Sequence, residues 1–121
     1  MTADMIILYV TDPNASAGFY AKIFGFPPAD LSPGFAMFVL PSGLKLGLWI
    51  KEGVKPASEF SGCSAEIVIH TKDAETVESA HQTYLAAGIS VIDPPVQREF
   101  GLSFVVADPD GHRVRVMFPA G

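Results

Sequence analysis

A few side chains set the chemistry this sequence could do. They are the single tryptophan Trp49, the alternating cations Arg113 and Arg115, and the carboxylate Glu66 four residues before His70. An indole stacks on flat rings, a guanidinium clamps a carboxylate or carbonyl oxygen, and a carboxylate accepts hydrogen bonds or ligates a cation. Glu66 and His70, at i and i+4 of a strand, share one face. The spacing assembles no catalytic centre. His70, His81 and His112 form no HxH or HxxxH pair, and no GxSxG, Walker loop or GxGxxG occurs. The default role for each histidine is a solvated or hydrogen-bonded surface position. Cys63, the lone cysteine, has no His or basic residue beside it, so no nucleophilic role is expected. A single thiol also excludes an intramolecular disulfide and a Cys-based zinc site.

The elements that must position these residues come in a repeat. AMFVLPSGLKLGLWI at 36–50 lies over FVVADPDGHRVRVMF at 104–118 without a gap. Each is an apolar strand, a Pro-polar-Gly turn and an alternating strand, with Gly supplying the positive φ of a hairpin. Upstream, IILYVTD at 6–12 precedes PNASAGFYAKIFG, and EIVIHTKD at 66–73 precedes AETVESAHQTYLAAG. Asp12 followed by Pro13 caps the first helix, and Asp73 with Glu75 in the first turn caps the second. Gly25 and Gly88 stand where a glycine ends each helix. FPPADL at 26–31 and VIDPPV at 91–96 carry two prolines each, so those strands belong on an edge or are partly irregular. Each half reads strand–helix–strand–strand–strand. The organisation expected is a single domain over 1–121, with module 1 about 4–51, a polar linker about 52–62 and module 2 about 63–119.

Strand alternation then sorts the faces. With Leu46, Leu48 and Ile50 against a helix, Lys45, Gly47 and Trp49 look into a cavity; with Val114, Val116 and Phe118 against a helix, Arg113, Arg115 and Met117 do. Met5, Ile7 and Tyr9 line it from one opening strand, and Glu66, Val68 and His70 from the other. Gly47 opens room beside Trp49. The slot suits a flat aromatic ligand with an acidic or carbonyl group on Arg115. Each residue also has a plainer role. Trp49 is a stacking wall or a core residue; Arg115 is a ligand anchor or the structural partner of Glu66, and the two roles are compatible. Met5 and Met117 are ligand contacts or gap-fillers. Phe38, Phe100 and Phe104 are rim aromatics or core, depending on a one-residue register. Lys45 and Arg113, nearer the turns, are expected in solvent.

Composition narrows the classes. The chain is 49% hydrophobic and 17% charged, enough apolar content for a packed core. Eight Lys+Arg against thirteen Asp+Glu give a net charge of −5, which disfavours nucleic acid and acidic membrane surfaces as partners. Apolar runs such as FAMFVL at 35–40 are too short to cross a bilayer, and MTADM lacks the features of a signal peptide, so a cytoplasmic protein is expected.

The segments YVTDPNASAGFYAKIFGF at 9–26 and DPDGHRVRVMF at 108–118, with the second strand–helix unit ending LAAG, resemble the vicinal oxygen chelate superfamily, also called the glyoxalase/bleomycin resistance protein/dioxygenase superfamily. The resemblance implies an α+β fold of two βαβββ modules forming a half-open barrel with an internal cavity, and a homodimer. GLKLGLWI at 43–50, FSGCSAEIVIH at 60–70 and GHRVRVMF at 111–118 are most similar to small phenazine-resistance, drug-binding members. Family enzymes hold a divalent metal at four positions, occupied here by Met5, Gly47, Glu66 and Arg115. Only Glu66 suits such a cation, and Arg115 would repel it. No metal and no cofactor is therefore expected. The leading expectation is metal-independent binding of a planar aromatic metabolite or antibiotic. Trp49 would stack, Arg115 would anchor and Glu66 would accept a hydrogen bond, with Met5, Gly47, Met117, Phe38, Phe104 and His70 lining the site. The rivals are a glyoxalase-like lyase or dioxygenase with a reduced metal site at Glu66 and His70, and a structural dimer without a ligand.

Overall fold

Residues 1–59 and 65–121 are described by a computed structural model; the junction at 60–64, with Cys63, lies outside them. The chain is α+β and divides into two compact units, Met1–Gly62 and Cys63–Gly121. The first contains β1 (Met5–Val10), α1 (Pro13–Phe24), β2 (Asp30–Leu31), β3 (Phe35–Val39) and β4 (Lys45–Ile50), followed by a 3-10 turn at Lys51–Gly53. The second contains β5 (Glu66–His70), α2 (Ala74–Ala86), β6 (Val91–Arg98), β7 (Gly101–Ala107) and β8 (Arg113–Pro119). Each unit holds a four-stranded mixed sheet, ordered β1-β4-β3-β2 and β5-β8-β7-β6. The first strand of each runs parallel to the last, and the remaining pairs are antiparallel. No described helix is long and apolar enough to cross a membrane.

Capping accounts for where the helices start and stop. Asp12 accepts from the Asn14 N–H at 3.0 Å, with Pro13 at the first helical position where a missing donor costs nothing. Asp73 accepts from both the N–H and the hydroxyl of Thr76, and these bonds hold its carboxyl below the usual range. Gly25, at φ +82°, closes α1.

The faces follow from register. Phe38 stands opposite Leu46, and Phe104 opposite Val116. Directly paired residues share a face, so both phenylalanines go with the helix-facing set. Phe38 packs on Phe24 and Phe26, and Phe104 on His81 and Tyr84. Both are fully buried. The expectation that Phe38 and Phe104 line a ligand cavity is corrected: they are core. The proline-bearing segments behave as edges. β2 has only two residues, and β6 carries register shifts on both sides of Asp93.

The hairpin that delivers β8 is held by a carboxylate. Asp108 Oδ1 accepts from the N–H groups of Asp110 and His112, and Oδ2 lies 2.9 Å from His112 Nδ1. The hydrogen bond to buried Asp108 raises the His112 pKa, and the nearby Asp108 and Asp110 charges add to it, against the opposing effect of burial. A raised folded-state pKa gives stability that is fully present below the unfolded value and is lost as pH rises through the folded one. Urea midpoints should therefore show a stability component at pH 5.5 that fades by pH 8.5 and is missing in His112→Gln. An identical pH dependence in the two proteins would show that the pair does not stabilise the turn.

Candidate functional site

On β8 the residues alternate. Val114 and Val116 are buried toward α2, while Arg113, Arg115 and Met117 occupy the opposite face. β5 runs parallel beside it and brings Glu66 to Arg115 across 49 residues of chain. The contact is bidentate: Nε donates to Oε1 at 2.8 Å and Nη2 to Oε2 at 3.3 Å. Nη1 donates to the hydroxyl of Ser103 at 3.0 Å, and the guanidinium carbon lies 5.2 Å from the centroid of the Phe100 ring. Arg115's side chain is 16% exposed and that of Glu66 32%. Three of the five guanidinium N–H groups are thus taken, leaving one on each terminal nitrogen for a ligand.

Glu66, Val68, Phe100, Arg115 and Met117 line an open cavity of about 280 Å³. Val68 and Phe100 expose apolar surface, whereas Met117 is mostly covered. The result is an apolar floor with one oriented cation at its wall. Arg115, Glu66 and Met117 are therefore brought together. His70 lies on the exposed side of β5, opposite Met117 in the ladder, and does not line this cavity.

Trp49, Met5 and Gly47 belong to the first unit. Trp49 is half-buried on β4 beside Tyr9, with ring centroids 6.5 Å apart and edge-on. The room expected beside it at Gly47 is occupied: a Cβ built there would stand 3.0 Å from the Phe35 ring and 3.1 Å from Ile7. Phe35 is paired with Trp49 across the ladder, and its ring covers the glycine. Gly47 thus makes room for a side chain of the same unit.

Two participants escaped the sequence reading. Ser103 is a lone hydroxyl in the apolar run GLSFVVA, fully buried and bonded to Arg115. A polar side chain in such a strand signals a buried partner, here the residue diagonal to it on β8. Phe35 left no comparable signal.

The donor chemistry also bears on the metal that the resemblance implies. Of the four positions, Met5 offers a thioether, Gly47 nothing and Arg115 a cation, and both oxygens of Glu66 are engaged by Arg115. These residues do not fit a divalent metal. Among the described residues no group of three or more His, Cys, Asp or Glu could hold one.

Residues 2–116 match the sequence model of the Glyoxalase/Bleomycin resistance protein/Dioxygenase superfamily. The chain is 29% identical over 119 residues to the phenazine antibiotic resistance protein EhpR of Enterobacter agglomerans, covering 96% of this chain and 91% of that one. It is 30% identical over 94 residues to a trivalent organoarsenical cleaving enzyme of Thermomonospora curvata, covering 77% of this chain and 59% of that one. Among solved structures, a protein of Agrobacterium tumefaciens determined by NMR superposes with a TM-score of 0.89 at 38% identity, covering 100% of this chain and 99% of that one.

Proposed function

Because the chain belongs to the Glyoxalase/Bleomycin resistance protein/Dioxygenase superfamily, we propose that it serves there as a metal-independent binder that sequesters a planar aromatic metabolite or antibiotic. The observation that carries this reading is the state of Arg115. Its guanidinium is clamped by Glu66, Ser103 and Phe100, yet two of its N–H groups remain for a ligand beside an apolar floor. A cavity of about 280 Å³ sits at the small end of ligand sites and suits a compact fused-ring molecule rather than a long chain. Relatedness to a phenazine resistance protein supports the same ligand class. The superfamily also includes enzymes such as the organoarsenical cleaving enzyme, but the donor set here favours binding over metal-assisted chemistry.

Phenazine-1-carboxylate is the probe. Isothermal calorimetry on the wild-type protein should give saturable binding at one site per chain. Heats that never saturate, or a stoichiometry far below one, would remove the proposal.

The reading includes a homodimer. β1 and β2 in one sheet, and β5 and β6 in the other, pair on one side only within their own sheets, and strand edges are usually covered. Sedimentation should give about 26 kDa, twice the 12.9 kDa chain mass. A species of single-chain mass at micromolar concentration would overturn it.

A further inference from the structure

All three arginines of this acidic chain line one cavity. Arg98, Arg113 and Arg115, with Ile92, Asp93 and Val105, surround about 300 Å³ on the second unit. The site is built by β6, β7 and β8. Asp93 stands opposite Val105 and Val105 opposite Arg115, while the register shifts flanking Asp93 break the regular ladder of β6. Arg98 reaches back past Pro94 and Pro95 to Asp93, with Nη2 2.8 Å from Oδ2. Arg115 is paired with Glu66 on its other side. The Arg113 side chain has no carboxylate or hydrogen-bond partner among the described residues. Three cations therefore meet two carboxylates, and the surplus charge rests on Arg113. A chain with a net charge of −5 repels anions as a whole, so a local surplus of guanidinium must act at short range.

We propose that this cleft is an oxyanion site. It takes the carboxylate or phosphate group of a small ligand, with Arg113 as the principal donor and Arg98 and Arg115 as supporting ones. Guanidinium groups present paired N–H donors that match either oxyanion. The two ion pairs hold Arg98 and Arg115 in place, so little side-chain freedom is lost when an anion arrives. The site does not rest on aromatic binding in the neighbouring cavity and stands if that reading fails.

Because the chain has three arginines, a ¹⁵N spectrum of the arginine Nε–Hε groups contains three side-chain signals to follow. Inorganic phosphate and succinate, titrated separately at low ionic strength, test the site without foreknowledge of the natural ligand. The expected result is a saturating shift of the Arg113 signal, assigned by its loss in Arg113→Gln. That variant should weaken binding by about tenfold or more, as loss of a charge-assisted hydrogen bond does. Lys72→Gln removes the same charge outside the cleft and should change the affinity by no more than about twofold, as an exposed charge does. Tighter binding of phosphate would assign a phosphoryl group to the ligand, and tighter binding of succinate a carboxylate. Shifts that stay linear for all three signals of the wild-type protein, or equal losses in the two variants, would overturn the proposal. The wild-type titration decides even if Arg113→Gln does not fold.

Discussion

Arg115→Met should weaken phenazine-1-carboxylate by about tenfold or more, since losing hydrogen bonds between charged groups costs about 1.5 kcal/mol or more. Two effects add. The variant removes the two N–H groups that remain for a ligand, and it leaves the Glu66 carboxylate beside the bound acid without its counter-charge. A neutral phenazine of the same shape meets neither loss and should bind nearly as before. Glu66→Gln is the converse: Arg115 keeps its bond to Ser103 and its place over Phe100, and the competing negative charge is gone. Affinity for the acid should then hold or rise. Calorimetry on the acid and the neutral analogue with each variant separates these outcomes. Equal losses for both ligands in Arg115→Met would mean that Arg115 only braces the sheet, and the anchoring role would fall.

Gly101→Ala should be the most damaging single-methyl change in the second unit. Gly101 adopts φ +139°, a conformation that L side chains rarely take, and a Cβ there would stand 2.1 Å from the Phe118 carbonyl oxygen. The backbone around it is tied on both sides: Gly101 pairs with Arg98 and with Pro119, and the Ala120 N–H donates to the Phe100 carbonyl at 2.8 Å. Neither strand can yield without breaking its ladder. Backbone strain and overpacking together should cost about 3 kcal/mol or more, a large share of the about 5–15 kcal/mol that stabilises a typical domain. Gly43→Ala is the control. Its φ is +94°, but its Cβ would meet nothing within 4 Å, so only the conformational cost of about 1–2 kcal/mol applies. Urea denaturation of the two variants should separate them clearly. Similar losses would show that the close approach at Gly101 is not the controlling contact.

Gly101 also holds the hairpin that carries Phe100 over Arg115. This close approach is invisible in the sequence, where GLSFVVA reads only as a strand beginning with glycine. The capping signals are different. Asp12, Pro13, Gly25 and Asp73 act on backbone groups within a few residues of themselves, so their meaning is local and can be read directly. The same holds for the alternation on β4 and β8, which depends only on the two-residue period of a strand.

The sequence by itself therefore determined the two strand–helix–hairpin repeats, the helix ends, and which residues of β8 lie away from the helix. Only the tertiary structure decided what those residues meet. Phe38 and Phe104 went to the core because each strand's face is set by its partner's register, and a shift of one residue reverses it. Phe35 filled the space at Gly47 for the same reason. Arg115 and Glu66 could be paired in principle from the sequence, but the bidentate geometry and the Ser103 bond depend on three strands lying side by side. Periodicity is a property of one segment, whereas a site is a property of several. The pairing of distant strands converts an alternating run of arginines into a clamped cation and a charged cleft.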